Sequence, residues 1–189
     1  MTTRQIVVGV LTGLLVVSSA VAQTRRIDSR QQRQQKRIAH GVQNGSLTPQ
    51  ETFKLEKQEA VLDKKINRMA EDGLTNREKA RIEHQQDQMS QRIAREKHDN
   101  QVQPPVTGPI SARQHRQQQR IGQGIANGSL TPAEAARLEK QEARLNREIR
   151  QERRDGGGLN AAERGRIKRQ QNSMSRRIHR QKHDGQRRQ

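Results

Sequence analysis

The chain has 189 residues, with 38 Lys and Arg against 20 Asp and Glu, a formal net charge of +18, no Cys, Trp or Tyr, and a single Phe. After Ala22, Leu, Ile, Val, Met and Phe supply 27 of 167 residues, about 16%. That is too little apolar surface to offset the ordering entropy of a large globular core. It argues against an enzyme with an apolar, aromatic-lined pocket. The lack of Cys excludes disulfides, thiolate metal sites and Cys nucleophiles.

The first 22 residues differ from the rest. Arg4 precedes a 12-residue apolar run, Ile6 to Val17, and Ser18-Ser19 lead to Ala20-Val21-Ala22. A charged start, a short apolar stretch and an A-x-A site make a secretory signal. The run is short for a membrane span, which needs about 20 apolar residues. Cleavage after Ala22 would send a basic protein of net charge +17 to a bacterial periplasm or outside the cell.

A tandem repeat follows. Residues 37–72 align without gaps on 120–155 with 19 identities in 36, and residues 74–99 on 159–184 with 14 in 26. The shared motifs are NGSLTP at Asn44–Pro49 and Asn127–Pro132, and LEKQEA at Leu55–Ala60 and Leu138–Ala143. The organisation expected is a signal at 1–22, a first repeat at 23–100, a Pro-rich uncharged linker at 101–112, a second repeat at 113–184 and a basic tail at 185–189.

Each repeat reads as three helices. Expected spans are 29–43, 49–71 and 76–98 in the first copy, and 112–126, 132–154 and 161–183 in the second. Thr48-Pro49-Gln50-Glu51 and Thr131-Pro132-Ala133-Glu134 are capping boxes with Pro at the first helical position. Thr75 with Glu78, and Asn160 with Glu163, repeat the device. Asn-Gly, Asp-Gly and a Gly run end the preceding helices. Leu55, Leu62, Ile66 and Met69, and Ile82, Met89 and Ile93, fall on narrow helical stripes, as do Leu138, Leu145 and Ile149, and Ile167, Met174 and Ile178. Glu59, Glu142, Gln86 and Gln171 fill gaps in those stripes. The first helix, Gln-rich with only Ile38 and Val42, reads as the weakest. The fold class is all-α: a duplicated three-helix unit of elongated hairpins with a thin, coiled-coil-like core.

The turns resemble the second half of an EF-hand loop. Asn44, Gly45, Leu47 and Glu51, and again Asn127, Gly128, Leu130 and Glu134, match a ligand, the obligatory Gly, a buried aliphatic and the final Glu. The resemblance implies calcium at Asn44, Glu51, Asn127 and Glu134. The first half of the loop departs from the pattern, with His40 and Val42, or Gln123 and Ile125, at ligand positions. The Leu-Thr-x-x-Glu boxes at Leu47, Leu74 and Leu130 also resemble the LTxxQ boxes of the Spy/CpxP family of periplasmic chaperones. That similarity implies a helical cradle for client proteins, with Glu here in place of Gln.

Of six histidines, His179 and His183 sit four apart with metal-competent spacing, but Ala94 replaces the first of them in the other copy. His98 and His183 are the one pair at equivalent repeat positions, His40, His84 and His115 form no pattern, and solvated helix positions are the simpler reading. No nucleophile elbow, triad or phosphate-binding loop is present, so the chain reads as a non-enzyme without a cofactor.

Charge is the main functional signal. Residues 30–100 carry +4 and residues 113–189 carry +12. The second copy puts Arg144, Arg153, Arg154 and Arg169 where the first has Val61, Ala70, Glu71 and His84. Arg176, Arg177, Arg187 and Arg188 complete a candidate surface for anionic polymers, envelope surfaces or acidic proteins. Nucleic acid would be held without sequence reading, since one Phe cannot provide a base-stacking platform.

Overall fold

The computed structural model describes the backbone of residues 13–71, 73–155 and 158–187, and side chains from residue 25 onward. The described chain is all helical: α1 (Gly13–Asn44), α2 (Pro49–Ala70), α3 (Asn76–Lys97), α4 (Pro109–Ala126), α5 (Pro132–Asp155) and α6 (Ala161–Lys182). No described helix is long and apolar enough to cross a membrane. The first 12 residues of the expected signal lie outside the described residues, and α1 runs through Ala22 without a break.

Helix starts follow the local chemistry. Thr48 N–H donates to Glu51 Oε2 at 2.8 Å, and Thr131 N–H to Glu134 Oε2 at 2.9 Å. In return Thr48 Oγ1 accepts from Glu51 N, and Thr131 Oγ1 from Glu134 N. The same exchange opens α3 at Thr75 and α6 at Asn160. Before α2 and α5, Gly45 and Gly128 adopt φ of 79° and 71°, a region closed to most side chains. The turn then swings Leu47 and Leu130 inward, each N–H donating to a carbonyl of the preceding helix, Gly41 and Gly124, at 3.0 Å. α4 starts at Pro109, three residues before the expected start. Ser111 Oγ accepts from the N–H groups of Thr107 and Gly108 at 2.9 and 3.0 Å, satisfying donors that the helix leaves open.

Equivalent helices of the two repeats pair with each other. α1 packs on α4 and α2 on α5, while α3 covers α1 and α2, and α6 covers α4 and α5. α2 and α5 run antiparallel, for Gln50 accepts from Arg147 and Phe53 lies under Lys140. A central cluster draws equally on both repeats. Ile38, Val42, Leu47, Leu55 and Ile93 meet Ile121, Ile125, Leu130, Leu138 and Ile178 there. Burying one such side chain contributes roughly 1.5–3 kcal/mol, so this shared cluster ties the two repeats into one body. Smaller clusters close the outer ends, around Ile27, Leu62, Ile66 and Ile82 in one half and Leu145, Ile149 and Ile167 in the other.

The Gln-rich first helix is better anchored than its apolar content suggests. Gln34 and Gln35 are buried, as are Gln117 and Gln118. Gln34 Nε2 donates to Gln86 O at 2.6 Å and Gln117 Nε2 to Gln171 O at 2.7 Å. In return Gln86 donates to Ile27 O, and Gln171 to Ile110 O, both at 3.0 Å. Here polar side chains do the joining that apolar stripes do elsewhere. The linker is fastened too: Gln103 Nε2 donates to Val42 O at 3.0 Å and to Leu47 O at 2.8 Å.

Candidate functional site

α5 and α6 carry the arginines singled out by charge. Arg144, Arg153, Arg154, Arg169, Arg176, Arg177 and Arg187 are all exposed; Arg188 lies outside the described residues. Arg144 and Arg177 line one groove between α5 and α6, floored by Leu145 and Met174. Arg169, Arg176 and Arg180 share one stripe of α6, being seven and four residues apart. Arg153 lines a cleft with Arg150 against Pro104 and Pro105 of the linker. Arg154 lies in the last turn of α5, and Arg187 beyond α6. Ion pairs join Arg30 to Asp87, and Arg166 to Glu148 and Glu152. None of the seven candidate arginines takes part.

The turn residues expected to meet calcium are engaged with the chain itself. Asn44 Oδ1 accepts from Ser46 N at 3.1 Å, and Asn127 Oδ1 from Ser129 N at 3.0 Å. One oxygen of Glu51, and one of Glu134, holds a cap amide. A calcium ion needs six to eight oxygens, and these turns, with His40 and Val42 or Gln123 and Ile125 at the other ligand positions, do not fit one. Glu51 meets other carboxylates instead. One oxygen each from Glu51, Glu96 and Asp99 lie within 4.8 Å of one another. Burial raises the Glu51 pKa, the Thr48 hydrogen bonds oppose this, and Asp99 and Glu96 add to it. In the second repeat Gln181 stands where Glu96 does.

Glu59 and Glu142, which fill gaps in the apolar stripes, belong to a longer buried polar seam that hydropathy does not reveal. α2 buries Glu51, Glu56 and Glu59; α5 buries Glu134, Glu139 and Glu142. Gln118 donates to Glu139 Oε2 at 3.1 Å, and Gln35 to Glu56 Oε2 at 3.2 Å. Burial pushes the Glu142 pKa up to about 8. It also raises Glu139 well above the ordinary carboxylate range, with a smaller push from Glu142 and an opposing hydrogen bond from Gln118. The available signal was positional: Glu56 and Glu59 share the helical face of Thr52, Leu55 and Leu62.

Among the histidines, His179 and His183 place their ring centroids 4.3 Å apart on the exposed end of α6. His183 Nδ1 lies 2.6 Å from the His179 carbonyl oxygen, and His98 Nδ1 lies 2.7 Å from that of Ala94. The equivalent rings thus finish their helices by the same contact.

No protein-family model, no curated protein and no solved structure matches this chain.

Proposed function

We propose that this protein is an exported, non-enzymatic binder of anionic polymers and surfaces, and that the second repeat carries most of the binding. The observation behind this reading is the set of seven exposed candidate arginines of α5, α6 and the following segment, none of which shares the ion pairs that Arg166 makes among the described residues. Exposed guanidinium groups on a body of net charge +18 attract polyanions and release their counterions. Export rests on the sequence of residues 1–22. The binding is electrostatic, so it distinguishes density of charge rather than sequence.

The test keeps the chain whole, because the repeats share a core. Arg153, Arg154 and Arg176 are reversed to Glu in one variant, and the exposed Lys64, Arg68 and Arg77 of the first repeat in another. Both variants change the net charge equally. Retention on heparin should fall steeply between about 50 and 200 mM salt, and the second-repeat variant should elute at the lower salt. Equal elution of the two variants, or retention indifferent to salt, overturns the reading.

A further inference from the structure

The groove between α2 and α3 differs in character from its counterpart between α5 and α6. Its floor is apolar: Phe53, Leu62 and Met89, with Val61 standing 61% exposed at the edge. Its rim is cationic: Lys54, Lys57, Lys65 and Arg92, with no carboxylate among the lining residues. Lys65 Nζ is held at the rim by Gln85 Oε1, 2.9 Å away. Lys140 of the second repeat lies 5.8 Å from the centre of the Phe53 ring. The groove encloses about 520 Å³, within the range of roughly 300–1,000 Å³ usual for small-molecule sites. From Phe53 to Lys65 it extends about 18 Å at 1.5 Å per helical residue.

The equivalent groove differs at several lining positions: Ala136 stands in place of Phe53 and Ser173 in place of Gln88, and two changes alter its rim. Arg144 replaces Val61, and Glu148 replaces Lys65. Glu148 accepts from Arg166 at 3.1 Å and Gln170 at 3.0 Å, which puts a carboxylate on the rim. Its volume is about 300 Å³. The second groove has thus lost the Phe and the apolar edge and carries charge of both signs, while the first keeps an apolar floor and a purely cationic rim.

We propose that the α2–α3 groove binds a single-chain lipid anion, a free acyl chain with a carboxylate head. The apolar floor takes the chain, and the lysines and Arg92 take the head. A peptide would bring backbone donors and acceptors needing partners, which the self-satisfied backbones of two helices cannot supply. An acyl chain asks only for apolar contact, worth about 0.8 kcal/mol per buried methylene. This site is separate from the polymer-binding arginines, and either can fail alone.

The methionines provide the test. Met89 floors the proposed groove, and Met174 floors the equivalent one. Methyl-¹³C-methionine is incorporated into the full chain, which is titrated with dodecanoate below its micellar concentration. The Met89 methyl resonance should move saturably while that of Met174 stays within its titration-free position. Butanoate, which has the head without the chain, and dodecyltrimethylammonium, which has the chain with the opposite head, should leave Met89 unmoved. Val61→Arg with Lys65→Glu installs the second-repeat residues at exposed or half-buried positions, and should weaken dodecanoate about tenfold or more. Helical circular dichroism verifies that this variant is folded, and Val61→Thr alone, which only trims the apolar edge, should weaken binding by a smaller factor. A Met89 signal that does not respond to dodecanoate overturns the proposal, as does an equal response at Met174 or an equal response to the cationic amphiphile.

Discussion

Gln118 and Glu139 hold each other inside the molecule: the amide Nε2 donates to Oε2 at 3.1 Å, and the two side chains are 3% and 0% exposed. Gln35 and Glu56 make the twin of this bond at 3.2 Å in the other repeat. A buried carboxylate given one neutral donor is poorly compensated as an anion. At Glu139 burial therefore favours the protonated form.

This gives the stability a pH dependence of known sign. Glu142 is 1% exposed, neither of its oxygens has a hydrogen-bond partner among the described residues, and its pKa rises from 4.5 to about 8. A raised folded-state pKa means that the native chain keeps a proton which the unfolded chain releases. Stability from this group is complete below about pH 4.5 and is lost as the pH rises towards 8, at up to about 1.4 kcal/mol per pH unit. Glu139 acts in the same direction. Urea midpoints should fall between pH 5 and pH 8. Glu142→Gln, which cannot ionise, should flatten the slope and be the more stable protein at pH 8. An identical slope in the variant would show that Glu142 does not titrate in this window.

Two helical glycines should respond to alanine with opposite signs. Alanine is favoured over glycine in a helix by about 1 kcal/mol. At Gly165 in α6 an added Cβ meets only Arg169 Nη1, at 3.6 Å. Gly165→Ala should therefore stabilise by up to about 1 kcal/mol. At Gly124 in α4 the Cβ would stand 2.6 Å from Leu130 Cδ1, and Leu130 is fully buried. Overpacking of this kind costs about 1–3 kcal/mol, which outweighs the propensity gain. Thermal melts of the two single variants decide the matter, and a stabilised Gly124→Ala would contradict the packing of the turn.

The capping boxes set a third expectation. Thr48→Ala and Thr131→Ala each remove the acceptor of an orphan amide and should cost about 0.5–2 kcal/mol. Glu51 and Glu134 would then keep only one side of each exchange. Melting temperatures that do not move in either variant would mean that Pro49 and Pro132 alone fix these helix starts.

The turns were legible because their chemistry is local. Asn-Gly-Ser-Leu-Thr-Pro specifies a helix end, a positive φ, an inward Leu and a cap without reference to the rest of the fold, and α2 and α5 start at the residues expected. The pairing of α2 with α5 was not legible, because the face that makes it includes Thr52 and Glu56, which hydropathy assigns to solvent. Gln34 and Gln117 were hidden for the same reason: glutamine adds nothing to an apolar period, yet here it forms the joint. The charge excess of the second repeat can be counted from sequence. The amphipathic groove cannot, since it depends on Val61 and Lys65 of α2 lying beside Met89 and Arg92 of α3.

The shared core also predicts what happens when the repeats are separated. Each repeat contributes seven of the fourteen residues in the central cluster. A fragment holding residues 25–105 would present Ile38, Leu47 and Leu55 to water, and such a face demands a partner. The equivalent face of a second copy is the nearest match. Ala39 and Gly122, which are equivalent in the repeat, already face each other across α1 and α4: a Cβ on Gly122 would lie 3.2 Å from the Ala39 carbonyl oxygen. The antiparallel crossing of α2 on α5 is likewise one that a twofold axis can reproduce with two copies of α2. The fragment should therefore fold as a homodimer whose melting temperature rises with concentration. Its stability should be below that of the full chain, because Ala39 meeting Ala39 is tighter than Ala39 meeting Gly122, and Ala39→Gly should recover part of the loss. Sedimentation equilibrium with melts at several concentrations checks this. A fragment that stays monomeric and melts cooperatively at a temperature independent of concentration would show that each repeat has a sufficient core of its own, and that the central cluster is contact rather than foundation.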